Sequence, residues 1–164
     1  MDLVELNEFF NYKNELMKVL CTTESIISLI DGGATAAYKN IFPFEFIPET
    51  VDNGETFICY DVDIINVENR TFLYPALYIW IFTHKSKLRL SEGGIRTDAL
   101  AVEVNKVLNG SRYFGLGELY LKQVERFSPI TDYQGQAAFV AEDSLCLQYG
   151  TIQRRTPQGY SRCS

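Results

Sequence analysis

A single histidine, His84, stands in 164 residues. One histidine rules out a metal site built from paired imidazoles, and a histidine dyad would need a nucleophile and an orienting group beside it. His84 follows a hydrophobic run and sits among lysines, so it reads as a surface residue at a strand end. The four cysteines, Cys21, Cys59, Cys146 and Cys163, make no CxxC pair. Their spacing fits neither a zinc site nor a dense disulfide framework. They read as reduced thiols in a cytoplasmic folding environment, with Cys163, in a polar tail, the candidate exposed one. Gly93-Gly94 is not followed by Gly-Lys-Ser or Gly-Lys-Thr, so it marks entry into a helix rather than a phosphate cradle. Gly115-Leu116-Gly117 is equally unspecific. The longest apolar run, 72 to 82, contains Pro75 and is too short to cross a bilayer as a helix. The start, Met1-Asp2-Leu3-Val4-Glu5, is acidic and lacks a positive leader, so no secretory signal is expected. No internal repeat or low-complexity segment is found. Positive charge is also short: 15 basic against 21 acidic residues leave a formal net charge of -6. A basic surface for gripping phosphates is therefore not expected.

The composition is that of a globular chain, 46% apolar and 22% charged, of a length suited to one domain. Aromatics are plentiful, with 10 Tyr and 11 Phe, mostly in strand-like runs that suggest packed sheet faces and contact surfaces. Residues 2 to 20 carry Leu3, Leu6, Phe10, Met17 and Leu20 at helical spacing, with polar residues on the other face. Thr22 or Thr23 is placed to cap a short second helix bearing Ile26, Ile27 and Ile30, ended by Asp31-Gly32-Gly33. Residues 34 to 55 read as irregular, with a short strand, Phe44 to Ile47, between Pro43 and Pro48. After the turn signal Asp52-Asn53-Gly54-Glu55, Ile58, Tyr60, Val62 and Ile64 alternate with Cys59, Asp61 and Asp63.

Residues 72 to 83 are apolar or aromatic on both faces. Such a strand is central, or turns its second face to another subunit. Pro75 places its early part at an edge or bulge. The two runs are expected to form a hairpin. A helix follows from about Ile95 to Asn109. Its inner face is expected to carry Ala101, Val104, Val107 and Leu108, with Leu100 beside them, and Asn109-Gly110 stops it. Strands over Leu119 to Phe127 and Gln136 to Ala141 come next. The expected fold is α+β: one small domain, residues 1–147, with a mainly antiparallel sheet of about four strands against an N-terminal and a central helix. Residues 148–164 read as a polar C-terminal extension or arm.

No catalytic, cofactor or metal site emerges. Asp61 and Asp63 share a strand face, but with no third ligand they read as solvated carboxylates. The basic stretch from His84 to Arg89, with Arg96, reads as a solvated loop or as a salt-bridging surface for an acidic neighbour. The candidate contact residues between subunits are Tyr74, Tyr78, Trp80, Phe82, Lys85, Lys87, Arg89 and Arg96. Arg154, Arg155 and Arg162 are candidates for a partner-binding arm. The other reading of the aromatic face is a ligand pocket beneath Tyr74, Tyr78 and Trp80, in a small binding domain or enzyme. A third is a cellular adaptor that dimerises through the aromatic sheet.

The order of elements, with Arg96 to Gly110 as the central helix and Tyr133-Gln134-Gly135-Gln136 leading to Glu142-Asp143, resembles the tail terminator and tail completion proteins of long-tailed bacteriophages. The proline-flanked Phe44 to Ile47 before the 57 to 65 strand is similar too. The resemblance covers residues 1 to 145; the C-terminal extension has no counterpart in it. It implies a structural virion protein, made in the host cytoplasm, without cofactor or enzymatic activity. Its subunits would form a ring, a homohexamer, capping the tail tube and meeting a neck or portal-adaptor protein. DNA would pass through without specific binding, which an acidic chain suits. Another neck component, a head completion or stopper protein, is the alternative within that class. A ring requires two different contact patches on each subunit.

Overall fold

The computed structural model describes residues 3–30, 32–44, 56–68, 72–84, 87–112, 118–126, 141–150 and 153–154. In chain order the elements are α1 (Leu3–Thr22), α2 (Glu24–Leu29), α3 (Gly33–Asn40), β1 (Ile41–Phe42), β2 (Thr56–Glu68), β3 (Phe72–His84), α4 (Arg96–Leu108), β4 (Tyr120–Arg126), β5 (Ala141–Gly150) and β6 (Gln153–Arg154). The class is α+β as the sequence implies: four long strands make the sheet, and β1 and β6 add two residues each.

Alternating apolar residues build the sheet centre. β2 and β3 pair antiparallel from Thr56↔Thr83 to Glu68↔Phe72, the expected hairpin. The strand order is β1-β2-β3-β5-β4, with β6 also on β3. Residues 72 to 83, apolar on both faces, are thus central. Pro75, which has no N–H to give a ladder, sits where both ladders are interrupted. On one side the register shifts between Ile64 and Asn66. On the other, β5 ends opposite Ala76 and β6 begins opposite Leu73.

The helices cover one sheet face. Ile58, Tyr60 and Val62 from β2, Leu77, Ile79 and Ile81 from β3, and Leu147 and Tyr149 from β5 meet Leu16, Leu20, Ile26, Leu100, Val104 and Leu108 in one core. In α4 the buried line is Thr97, Leu100, Val104 and Leu108. Leu100 is therefore at the centre of the inner face, and Ala101 and Val107 flank it. The buried stripe of α1 is Tyr12, Leu16 and Leu20, not one that includes Phe10, which is 67% exposed. Two residues turn a helix by about 200°, so Phe10 lies across from Tyr12. Tyr60 ties α1 to the sheet by donating its hydroxyl to Lys13 O at 2.6 Å. Burial, and secondarily the Cys21 thiol, raises the Tyr60 hydroxyl above the ordinary tyrosine range, and burial does the same at Tyr149. Tyr60→Phe is expected to cost about 1 kcal/mol in urea unfolding, the usual net value of one such bond.

Local readings differ from the structure in four places. Thr23 precedes α2 but does not cap it with its side chain, because its hydroxyl donates to Val19 O at 2.7 Å and closes α1. Residues 34–40, read as irregular, belong to α3, which starts at Gly33, in keeping with the alanines at 34, 36 and 37. The strand before the hairpin is Ile41–Phe42, parallel to β2, and Phe44 is an exposed bend residue. Residues 45–55 and the 128–140 turn and strand start lie outside the described residues. Last, β5 begins at Ala141 and runs through 148–150, which the sequence reading assigned to the arm. Tyr149 is fully buried in the helix-facing core, so the sheet continues past residue 147.

Candidate assembly surface

The second sheet face follows from the strand period of two. Since Ile79 and Ile81 face the helices, Tyr78, Trp80 and Phe82 face away. In register with them on β2 are Asp61, Cys59 and Phe57. Beyond β5, Gln123 of β4 continues the Tyr78 row and Glu125 the Trp80 row. One end of this face closes into a second cluster of Phe57, Cys59 and Phe82, with Phe42 and Trp80 half-buried against it. Phe42 packs on Phe57 and Phe44 with ring centroids 6.1 and 5.9 Å apart. Towards the middle, Tyr78 and Trp80 stack at 5.8 Å with 17° between their planes, both half-buried. No described helix contributes to this second cluster.

The sequence candidates separate by placement. Tyr78 and Trp80 come together on the open face. Phe82 is buried inside the chain and belongs to its packing. Tyr74 pairs with Asn66 in the ladder. Arg96, expected on a basic surface, is only 9% exposed. Its Nε donates to Lys87 O at 2.7 Å and one terminal nitrogen to Leu29 O at 2.5 Å. It is therefore a tie between α2, α4 and the 87–95 turn. An Arg can fill such a place because its planar fork reaches two carbonyls at once. Lys87 is half-buried and Arg89 exposed. Arg154 lies in β6 opposite Phe72. Lys85, Arg155 and Arg162 lie outside the described residues.

His84 ends β3 opposite Ala141. Asp61 is not simply solvated: it is half-buried, pairs with Lys13 Nζ at 2.5 Å and accepts from Val62 N–H at 2.8 Å. The same Lys13 amine donates to Pro43 O at 3.3 Å. Asp63 is exposed. Among the described residues no cluster of three or more His, Cys, Asp or Glu is placed to hold a metal, and no helix is long and apolar enough to cross a membrane.

Two features were not read from the sequence. Asn109 Oδ1 accepts from Leu121 N–H at 3.0 Å, so the residue that stops α4 also caps the outer edge of β4. Gly110, at φ 78°, makes the reversal and donates to Leu119 O at 2.7 Å. The second is the 87–95 turn itself. Arg89 and Ile95 form an isolated antiparallel bridge, Leu90 N–H donates to Gly94 O, and Gly93 N–H donates to Leu90 O. Gly93 and Gly94, both at positive φ, form its tip, which is how the glycine pair before the helix is used.

A family model, YomW, matches residues 5–139, from α1 through β4 and ending just before β5. No curated protein matches the chain.

Proposed function

Because the chain belongs to the YomW family, a phage-associated one, we propose that it is a structural virion protein of the head–tail junction, a tail terminator. It caps the tail tube as a ring of copies, and its work is assembly without a catalytic step. The observation that carries this reading is the half-buried Tyr78–Trp80 stack on the sheet face opposite the helices. Flat aromatic side chains on a rigid central strand, rimmed by polar residues, have the make-up of a protein contact centre. The net charge of -6 supports the same reading, since an acidic lumen does not hold DNA that must slide through it. The partners on either side are the tail tube protein and a neck or portal-adaptor protein, and the site of action is the virion.

Light scattering of the purified protein, with negative-stain imaging of the protein and of its particle, tests this. The expected result is a ring with a central hole, or added density at the head–tail junction. A chain that stays monomeric and never joins a virion overturns the reading.

A further inference from the structure

Building on that reading, we propose that neighbouring copies join by inserting the 87–95 turn of one, led by Arg89 and Ile95, onto the Tyr78–Trp80 face of the next.

The turn is built as a projection. Its bridge between Arg89 and Ile95 and its closing bonds at Leu90 and Gly93 hold it without help from a partner. Arg96 anchors its base through Lys87 O, and Arg96 N–H donates to Leu88 O at 2.8 Å. Little freedom is lost when such a turn docks. The two bridged residues are both exposed, Ile95 at 37%, although isoleucine is among the residue types most often found inside. An exposed guanidinium beside an exposed aliphatic side chain is the complement of an aromatic surface with acidic neighbours. Arginine stacks on Trp and Tyr faces and pairs with carboxylates.

The Tyr78–Trp80 face offers those groups. Asp63, exposed, lies on this face of β2 two residues beyond Asp61, whose own carboxylate is held by Lys13, and Glu125, also exposed, lies in the Trp80 row on β4. Arg89 on the turn and the exposed Asp63 and Glu125 around the face carry opposite charges, which favours a second copy of this chain as the occupant. One copy cannot join its own two surfaces: Arg96 fastens the turn to Leu29 O in the helix layer, while Tyr78 and Trp80 lie on the other side of the sheet. Two different patches on one chain make a head-to-tail contact, the kind that closes into a ring.

The sheet edges argue for the face over strand addition. Val62 N–H on the β2 side is taken by Asp61 Oδ1, and Leu121 N–H on the β4 side by Asn109 Oδ1. The register of β4 also shifts between Leu121 and Gln123. Side-chain caps and bulges of this kind blunt an edge against pairing with another chain.

Sedimentation velocity on the full chain, wild type against Arg89→Glu, Tyr78→Ala and the double variant Arg89→Glu/Glu125→Arg, tests the contact. Arg89→Glu and Tyr78→Ala are each expected to weaken self-association roughly tenfold or more, and the double variant to regain part of it. Mixing Arg89→Glu with Tyr78→Ala leaves one sound projection and one sound face, so the mixture is expected to stop at a dimer. Circular dichroism matching the wild type shows that the variants are folded. Rings from Arg89→Glu and Tyr78→Ala as stable as the wild type's overturn the contact and leave the ring reading standing. Intact rings that no longer bind tail tubes also overturn it, and assign the turn to the tube protein. A wild-type chain that forms no ring in solution or on tubes overturns both.

Discussion

Replacing Arg96 with alanine is expected to lower stability by about 3 kcal/mol, seen in urea unfolding as a lower midpoint at unchanged slope. Two carbonyls, Lys87 O and Leu29 O, take hydrogen bonds from this side chain in a place from which water is largely excluded. Removing the donor leaves them unsatisfied, and bonds from a charged donor are the stronger kind. Arg96→Lys is expected to recover less than half of the loss. One ammonium on a flexible stem does not reproduce a planar fork that reaches two elements. A change within about 0.5 kcal/mol for Arg96→Ala would contradict the structural role and return the residue to the surface.

Ile79→Ala is expected to cost about 3 to 4 kcal/mol, by the same measurement. Ile79 is fully buried on the central strand, opposite Tyr60 on one side and Leu147 on the other. Strands paired on both sides leave little room to collapse around a lost side chain, so the cavity adds to the lost burial. Tyr78→Ala, one residue away, is the control. Its side chain is half-buried on the other face, so its truncation is expected to cost clearly less stability while impairing assembly. Equal losses at both positions would mean that the Tyr78 face is core and not contact surface.

Part of this was legible in residue patterns. Strict alternation in 58–64 separated the helix-facing Ile58, Tyr60 and Val62 from Cys59 and Asp61, and the two-faced run after it was central because both its neighbours are strands. Asn109-Gly110 marked the end of α4 because only glycine takes positive φ there at low cost. The extent of β5 was not legible. Gln148, Gly150 and the arginines nearby make a polar composition, and one face of a strand can be polar when only the other meets the core. The alanine-rich α3 was obscured by the prolines just beyond it.

The site divides in the same way. Tyr78 and Trp80 were found because two aromatics at i and i+2 must share a face. Arg96 was assigned to the surface because charge in a sequence speaks for solvent until a fold supplies carbonyls to bury it against. Asp61 looked solvated for the same reason, and Lys13, its partner, comes from a helix far away in the chain.

By itself the sequence determined the periodicities that mark α1, α4 and the β2–β3 hairpin, where glycine reverses the chain, and that the molecule carries excess negative charge. These are properties of neighbouring residues, set by backbone geometry and local propensity. Only the tertiary structure decided which polar groups are buried, which aromatic residues stay open and which residues distant in sequence meet. Burial is a property of what packs on top. Leu29 O and Lys87 O are brought to Arg96 by the fold, and the exposed pair Arg89 and Ile95 is set side by side by a turn that no single residue type announces.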